Sequence, residues 1–398
     1  MMPNILVAFH TSVNAGYAMS VLEKVFFDVS KDISGAEGKV FFSFNGPLTA
    51  APKSLPEGFS DFFRIDYNDN NTFLPAGKII RDNNIEFALC FDVQPHSPIC
   101  KMLRDQGVKK IVSYWGASMS SKKSALVLLL KKIEVWLQKN KPDHFIFESR
   151  AMQYLAVNGR GILQKNTSVI PTGIDPVKYS PKNQNERYLS EEFSIPENAK
   201  VVFYSGHMEK RKGVDVIIES AIKLVDEKKI TDIYFLICGN RPGEEIPYQE
   251  RLKNHSALNR VIFGGYRKDL HLIMPNCTLG VVASTGWDSF PMSTLEMAAA
   301  GLPLVVSRLQ GLVETLADGK TGYLFEPGNS AELAEKISFL LDHPEVCSSF
   351  SKNARARMLD GYTLEHQRKN LTDCLRSSWS IQSTPLINSN SKRSQQAK

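Results

Sequence analysis

Two acids define the chemistry open to this chain. Asp288 and Glu296 stand with seven residues between them in the string ASTGWDSFPMSTLEMAAAGLPLVVS, residues 283–307. An apolar run over 279–283 reads as a buried strand, and a polar turn over 284–288 follows it. A helix of small residues is expected from about Ser293 to Ala300, stopped by Gly301 and Pro303, with a second strand over 304–306. In open parallel sheets, ligands sit where such loops leave the carboxyl ends of strands. Carboxylates held there accept hydrogen bonds from a ligand's hydroxyl groups. A structural reading stands beside this one. Ser293-x-x-Glu296 is a capping-box pattern with Ser293 at the N-cap, and Asp288 is a common turn residue. The two are compatible, since a cap fixes the helix end that a ligand would use.

A second stretch is basic. Residues 201–204 read as a strand. The string Ser205-Gly206-His207-Met208-Glu209-Lys210-Arg211-Lys212-Gly213-Val214-Asp215 follows, and then a helix to about Val225. Three cations at a helix start face a dipole end that is already positive. They must splay into water or have an anion among them. Free helix N–H groups flanked by cations form a natural phosphate site. Lys210 and Arg211 are expected to be solvated surface.

These strings resemble the retaining GT-B glycosyltransferases of family 4, the glycosyl transferases group 1. The family's Glu-x-Phe-Gly-(x4)-Glu-Ala-Met-Ala-x-Gly-x-Pro stands here as Asp288-Ser289-Phe290-Pro291-(x4)-Glu296-Met297-Ala298-Ala299-Ala300-Gly301-Leu302-Pro303. Its Gly-Arg-(x4)-Lys-Gly-x-Asp stands as Gly206-His207-(x4)-Lys212-Gly213-Val214-Asp215. The resemblance runs from residue 1 to about 380 and is stronger in the second half. It implies an α/β GT-B fold: two Rossmann-like parallel-sheet domains facing a cleft, with a C-terminal helix crossing back to the first.

It also implies transfer of a sugar from a nucleotide-sugar substrate with retention of configuration, without metal or other cofactor. No Asp-x-Asp pair or cluster with metal-ligand spacing is seen in the sequence. By the resemblance, Lys212 contacts the leaving diphosphate with His207 as a partner, and Asp288 holds hydroxyls of the transferred sugar. Glu296 accepts the ribose hydroxyls. Backbone N–H groups of Phe290, Met292 and Ser293 face sugar or phosphate. Gly206 belongs to the same donor site, Tyr266 lies near the base, and Gly16 lies on the loop after the first strand. There are departures. His207 replaces an arginine that would always be charged and could bind two oxygens at once. Asp288 is one methylene shorter than the usual Glu. Pro291 replaces a Gly and has no N–H.

The elements that must position these residues follow from periodicity. Strand-like runs at 5–9, 39–44, 87–91, 110–114 and 145–147 alternate with helical segments, as in βαβ units. The turn Thr172-Gly173-Ile174-Asp175, followed by Pro176 and Pro181, resembles the family's domain junction. The expected domains are therefore 1–175 on the acceptor side, 176–360 for the donor, a crossover helix over 361–380, and a disordered polar tail over 381–398. Two acceptor-side candidates are His96, in the loop after the 87–91 strand, and Trp115, where relatives carry His. Trp115 either stacks on a sugar or packs inside. Gly-containing turns at 311–314 and 318–323 are expected to be structural.

Composition agrees with a two-domain globular protein. The chain has 398 residues, 42% hydrophobic and 23% charged, and a net charge of +6. That mild charge fits anionic small molecules or an acidic membrane surface and does not argue for nucleic acid. Six cysteines lack CxxC pairing and suit a reducing cytoplasm. No secretory leader is expected at Met1-Met2-Pro3-Asn4, nor a membrane span. Residues 120–141, SSKKSALVLLLKKIEVWLQKNK, read as a lysine-rich amphipathic helix. It suits either the inner face of a membrane or an ordinary domain surface. The expected function is a retaining glycosyltransferase acting on a saccharide or lipid-linked acceptor in cell-surface polysaccharide or glycoconjugate biosynthesis. The alternatives are a nucleotide-sugar epimerase of the same fold and a non-catalytic nucleotide-sugar-binding subunit.

Overall fold

Apolar runs bounded by turn residues become parallel strands, since only a sheet covered on both faces can bury them whole. The computed structural model describes residues 2–48, 50–117, 119 and 125–381. In the first lobe the strands are β1 (Asn4–Ala8), β2 (Val40–Phe44), β3 (Phe62–Arg64), β4 (Ile85–Phe91), β5 (Lys110–Trp115), β6 (His144–Phe147) and β7 (Thr167–Val169). They form one sheet in the order β3-β2-β1-β4-β5-β6-β7, with every pairing parallel. The second lobe holds β8 (Lys200–Ser205), β9 (Ile233–Cys238), β10 (Val261–Gly265), β11 (Leu279–Val282), β12 (Leu304–Ser307) and β13 (Gly322–Phe325). Their order is β10-β9-β8-β11-β12-β13, again all parallel. The edge strands β3 and β7 are three residues each, too short to show a periodicity.

Strand order reverses beside β1 and β4 in the first sheet, and beside β8 and β11 in the second. Such switch points open a crevice at the carboxyl ends of the strands. Both chemically suggestive strings fall there: residues 206–213 follow β8, and residues 284–291 follow β11.

The lobes are joined twice. Ile174 bridges to Thr363, with Ile174 N–H donating to Tyr362 O at 2.8 Å and Leu364 N–H to Ile174 O at 2.9 Å. The helix Leu364–Trp379 then lies on the first lobe. Its Leu371, Leu375 and Trp379 enter that lobe's core, where Trp379 stacks on Phe87 with centroids 5.1 Å apart. The crossover expected from sequence is present. The tail expected to be disordered lies, from residue 382 on, outside the described residues.

The lysine-rich helix runs over Ala125–Leu137; the first five residues of the expected stretch, 120–124, also lie outside the description. Leu126, Leu129, Leu130, Ile133, Trp136 and Leu137 are all exposed, while Val135 is buried. Their three-and-four spacing makes one apolar stripe, turned outward. Among the described residues no helix is long and apolar enough to cross a membrane.

Candidate active site

The site is built where two loops of the second lobe close on each other. Residues 210–212 form a single helical turn, and Gly213 caps it with φ +72°. A Cβ at Gly213 would stand 1.8 Å from Ala283 O, so only glycine lets this turn seat against the end of β11. Two backbone hydrogen bonds continue the closure, from Thr285 N–H and Gly286 N–H to Arg211 O at 2.7 and 3.2 Å. Arg211 adds its side chain, donating to Trp287 O at 3.1 Å with its guanidinium 4.8 Å from the Trp287 ring centroid. This corrects the expectation of a solvated Arg211: it clamps the two loops. Lys210 is exposed, as expected.

The closure brings Lys212 onto Asp288. The Lys212 ammonium is 2.8 Å from Asp288 Oδ2, and the Ser284 hydroxyl donates to the same oxygen at 2.8 Å. Asp288 is 4% exposed. A charge pair held this far from water is neutral in sum yet ready to exchange partners with a ligand, and removing either member strands the other. His207 stands apart. Its side chain is 77% exposed, with Nδ1 3.5 Å from Glu209, while its carbonyl accepts the Tyr204 hydroxyl at 3.0 Å. Gly206 is pressed by Gly239: a Cβ on Gly239 would meet Gly206 O at 2.1 Å. Tyr266 projects outward after β10 and is exposed.

The helix after Asp288 runs over Met292–Ala299 with Pro291 at its N-cap and no side-chain cap. The expected Ser293–Glu296 capping box does not form. Thr294 N–H bonds instead to Pro291 O at 3.1 Å, so the helix begins before Ser293 and Glu296 falls a full turn inside it. Phe290 turns its ring into the core, stacked on Tyr362, leaving its backbone at the helix entrance. Met292 lines a groove shared with Tyr17, Lys178 and Tyr179.

Glu296 is 3% exposed, and its Oε1 has no hydrogen-bond partner. Burial raises its carboxyl above the usual range, opposed by the hydroxyls of Tyr179 and Tyr17 and by the charge of Lys178. Those two hydroxyls are 3.2 Å apart. Burial first, then the Glu296 charge, pushes both phenols well above their ordinary value. Tyr17 belongs to the first lobe. It follows Gly16, whose φ of +131° starts the helix Tyr17–Ser34 beside open space. Sequence reasoning stopped at Gly16 and missed its neighbour; an aromatic hydroxyl on a cleft loop was the available signal.

On the first lobe, His96 is exposed and pairs with Glu134 of the lysine-rich helix at 3.2 Å. Trp115 is not a sugar platform. It is 2% exposed and packs among Val135, Phe145, Phe147 and Met152, because the last residue of β5 points into the core beneath that helix. Sequence reasoning also missed two acids at strand ends. Asp92 follows β4 with φ +54°, and its Oδ1 accepts Gly116 N–H at 2.9 Å. Glu148 follows β6. It accepts hydroxyls from Thr172 at 3.3 Å, from Ser289 of the second lobe at 3.3 Å and from Tyr114 at 3.5 Å. Burial lifts Asp92 to about 7 and Glu148 to about 8. A lone acid directly after a buried apolar strand was the signal for both.

Two parallel-sheet lobes facing each other across switch-point loops, tied by a returning helix, define the GT-B architecture. A glycosyltransferase from Rickettsia africae superposes with TM-score 0.79 over 96% of this chain and 100% of its own, at 17% identity. An Anabaena protein, HepE, solved in complex with UDP, superposes with TM-score 0.77 over 94% of this chain and 100% of its own, at 18% identity. Residues 186–357, most of the second lobe, match the family model of glycosyl transferases group 1. A D-inositol 3-phosphate glycosyltransferase from Corynebacterium efficiens is 28% identical over 184 residues, 45% of this chain and 43% of that protein. An N-acetyl-alpha-D-glucosaminyl L-malate synthase from Bacillus anthracis is 26% identical over 201 residues, 50% of this chain and 51% of that protein. The chain thus spans about half the length of the curated relatives it matches.

Proposed function

We propose that the protein is a retaining glycosyltransferase that moves a sugar from a nucleotide-sugar donor to a saccharide or lipid-linked acceptor in the assembly of cell-surface polysaccharide or glycoconjugate. The observation that carries this reading is the Lys212–Asp288 pair at the second lobe's switch point, one helical segment away from the under-bonded carboxylate of Glu296. A diphosphate draws Lys212 from Asp288. The ammonium then faces the charge that grows on the leaving phosphate, which fixed cations stabilise. Asp288, released, takes hydroxyls of the sugar. Glu296 takes the ribose hydroxyls in place of the tyrosines. His207, at the mouth, adds a donor when it turns inward. The N–H groups that open the helix Met292–Ala299 complete the anion site.

Uridine diphosphate sugars are the first donors to test, because HepE was crystallised with UDP and with UDP-glucose. The outward apolar stripe on Ala125–Leu137 supports the lipid-linked form of the acceptor. Lys132, Lys139 and Lys141 lie on or just after that helix, and Glu134 is the acid within it. Apolar residues above a basic rim suit an anionic lipid surface, which supports a peripheral position at the cytoplasmic membrane face.

The test is a thermal-shift screen against UDP-, GDP- and ADP-sugars, since a ligand of the folded state raises the melting temperature by mass action. One nucleotide class should shift the protein, and transfer should then require an added acceptor. Donor turnover without acceptor would mark an epimerase. No shift with any of the three would sink the reading.

A further inference from the structure

Residues 148–151 form a seam with the second lobe. Glu148 takes the Ser289 hydroxyl at 3.3 Å, and the same hydroxyl reaches Gly116 O at 3.1 Å. The next residue, Ser149, caps the helix Arg150–Arg160, and a Cβ on Gly311 would come within 2.9 Å of its hydroxyl oxygen. Arg150 and Ala151 donate their N–H groups to the Glu314 carboxylate at 3.0 and 2.8 Å. Glu314 stabilises the positive end of a helix in the other lobe. Glu148 takes a hydrogen bond from Ser289, the residue next to Asp288 on its loop.

We infer that Glu148 is a positioning residue for the transfer proposed above: by holding the Ser289 hydroxyl it fixes the Asp288 loop against the first lobe. The inference rests on that proposal for its catalytic consequence, though the latch itself is independent of it.

The latch is sensitive to pH. The groups facing Glu148 are the Asp92 carboxyl after β4, the Tyr114 phenol of β5, the Thr172 hydroxyl of the lobe connection and the Ser289 hydroxyl; Gln367 of the crossover helix approaches Tyr114. Among the described residues no ion pair reaches Glu148. Burial, then the nearby Asp92 charge, favours its neutral form, in spite of three hydroxyls that favour the anion. The folded protein therefore binds a proton that the unfolded chain releases between about 4.5 and about 8. Stability falls with rising pH across that window. Above about 8 the carboxylate is ionised, and admitting water between Glu148 and Ser289 relieves its cost.

Trp287 reports this loop without any nucleotide. In a Trp136→Phe background of the full chain, Trp115 and Trp379 are buried and Trp287 is the tryptophan open to a quencher. Acrylamide quenching should rise as pH passes about 8, and the melting temperature should fall toward the same point. Glu148→Gln keeps an oxygen to accept Ser289 and should flatten both curves. Ser289→Ala leaves Glu148 in place and should give high quenching already at pH 7. With the donor found by the nucleotide screen, Ser289→Ala should lower kcat about tenfold and leave donor affinity unchanged. Superimposable pH curves for wild type and Glu148→Gln, or quenching in Ser289→Ala equal to wild type at pH 7, would overturn the latch. Failure of the nucleotide screen would strike the transferase reading alone, because the quenching measurement contains no nucleotide.

Discussion

The two lobes hold their functional groups by different means. In the second lobe the loops are fixed by backbone: Gly213 against Ala283 O, Gly239 against Gly206 O, and Arg211 O taking two N–H groups. In the first lobe, side chains do the holding: Asp92 on the Gly116 N–H, Glu148 on three hydroxyls, Tyr17 on Tyr179. Backbone closure leaves little choice of residue type, because a Cβ at those glycines has nowhere to go. Side-chain closure can be rebuilt with other residues on the same strands. In the proposed reading, a donor common to many enzymes suits the first arrangement, and an acceptor peculiar to one suits the second.

The comparison breaks most sharply at Gly213. Gly213→Ala should cost on the order of 3 kcal/mol, read as a lowered denaturation midpoint, since both the left-handed φ and the Ala283 carbonyl oppose a side chain. A loss within 0.5 kcal/mol, the usual range for a surface change, would show that the loops are not locked by backbone. Lys212→Ala comes next. It should abolish the nucleotide-induced thermal shift and lower kcat by roughly a hundredfold to a thousandfold, while Lys210→Ala changes either barely. Equal losses in both would mean diffuse charge and no site. On the first lobe, Leu130→Asp with Trp136→Asp should leave the melting temperature unaltered and remove cosedimentation with anionic vesicles; retained sedimentation would discard the membrane assignment. The smallest effect is expected from Tyr17→Phe. It frees Glu296 from a competing hydroxyl and should tighten nucleotide binding by a few-fold, about 0.5–1 kcal/mol. Weaker binding would make Tyr17 a donor ligand and not a placeholder.

The same contrast explains what could be read from sequence. The second lobe's strings were legible because close backbone approach writes itself as glycine at fixed offsets. The longer strands of both lobes were legible because burial on two faces demands uninterrupted apolar runs, whereas the short strands β3, β7 and β13 were not. The helix start at Met292 was misjudged because Ser293-x-x-Glu296 satisfies a local rule that Pro291 and the burial of Glu296 override. For Arg211, a cation among cations gives no hint in sequence of the Trp287 ring opposite it. Trp115 is an acceptor-side candidate only through the resemblance, and of its two expected places the strand's pleat gives it the one inside the core. Asp92, Glu148 and Tyr17 acquire meaning through partners 24 to 162 residues away, visible only once the chain is folded.

The returning helix has a consequence for how the protein is made. The first lobe's core is incomplete without Leu371, Leu375 and Trp379, which follow the whole second lobe in chain order. During synthesis the later-made lobe can reach its final packing before the earlier one, which must wait with Phe87 uncovered until the last helix emerges. A nascent chain arrested near residue 363 would thus carry a finished second lobe and an open first lobe, a form that protease would cut selectively on the N-terminal side.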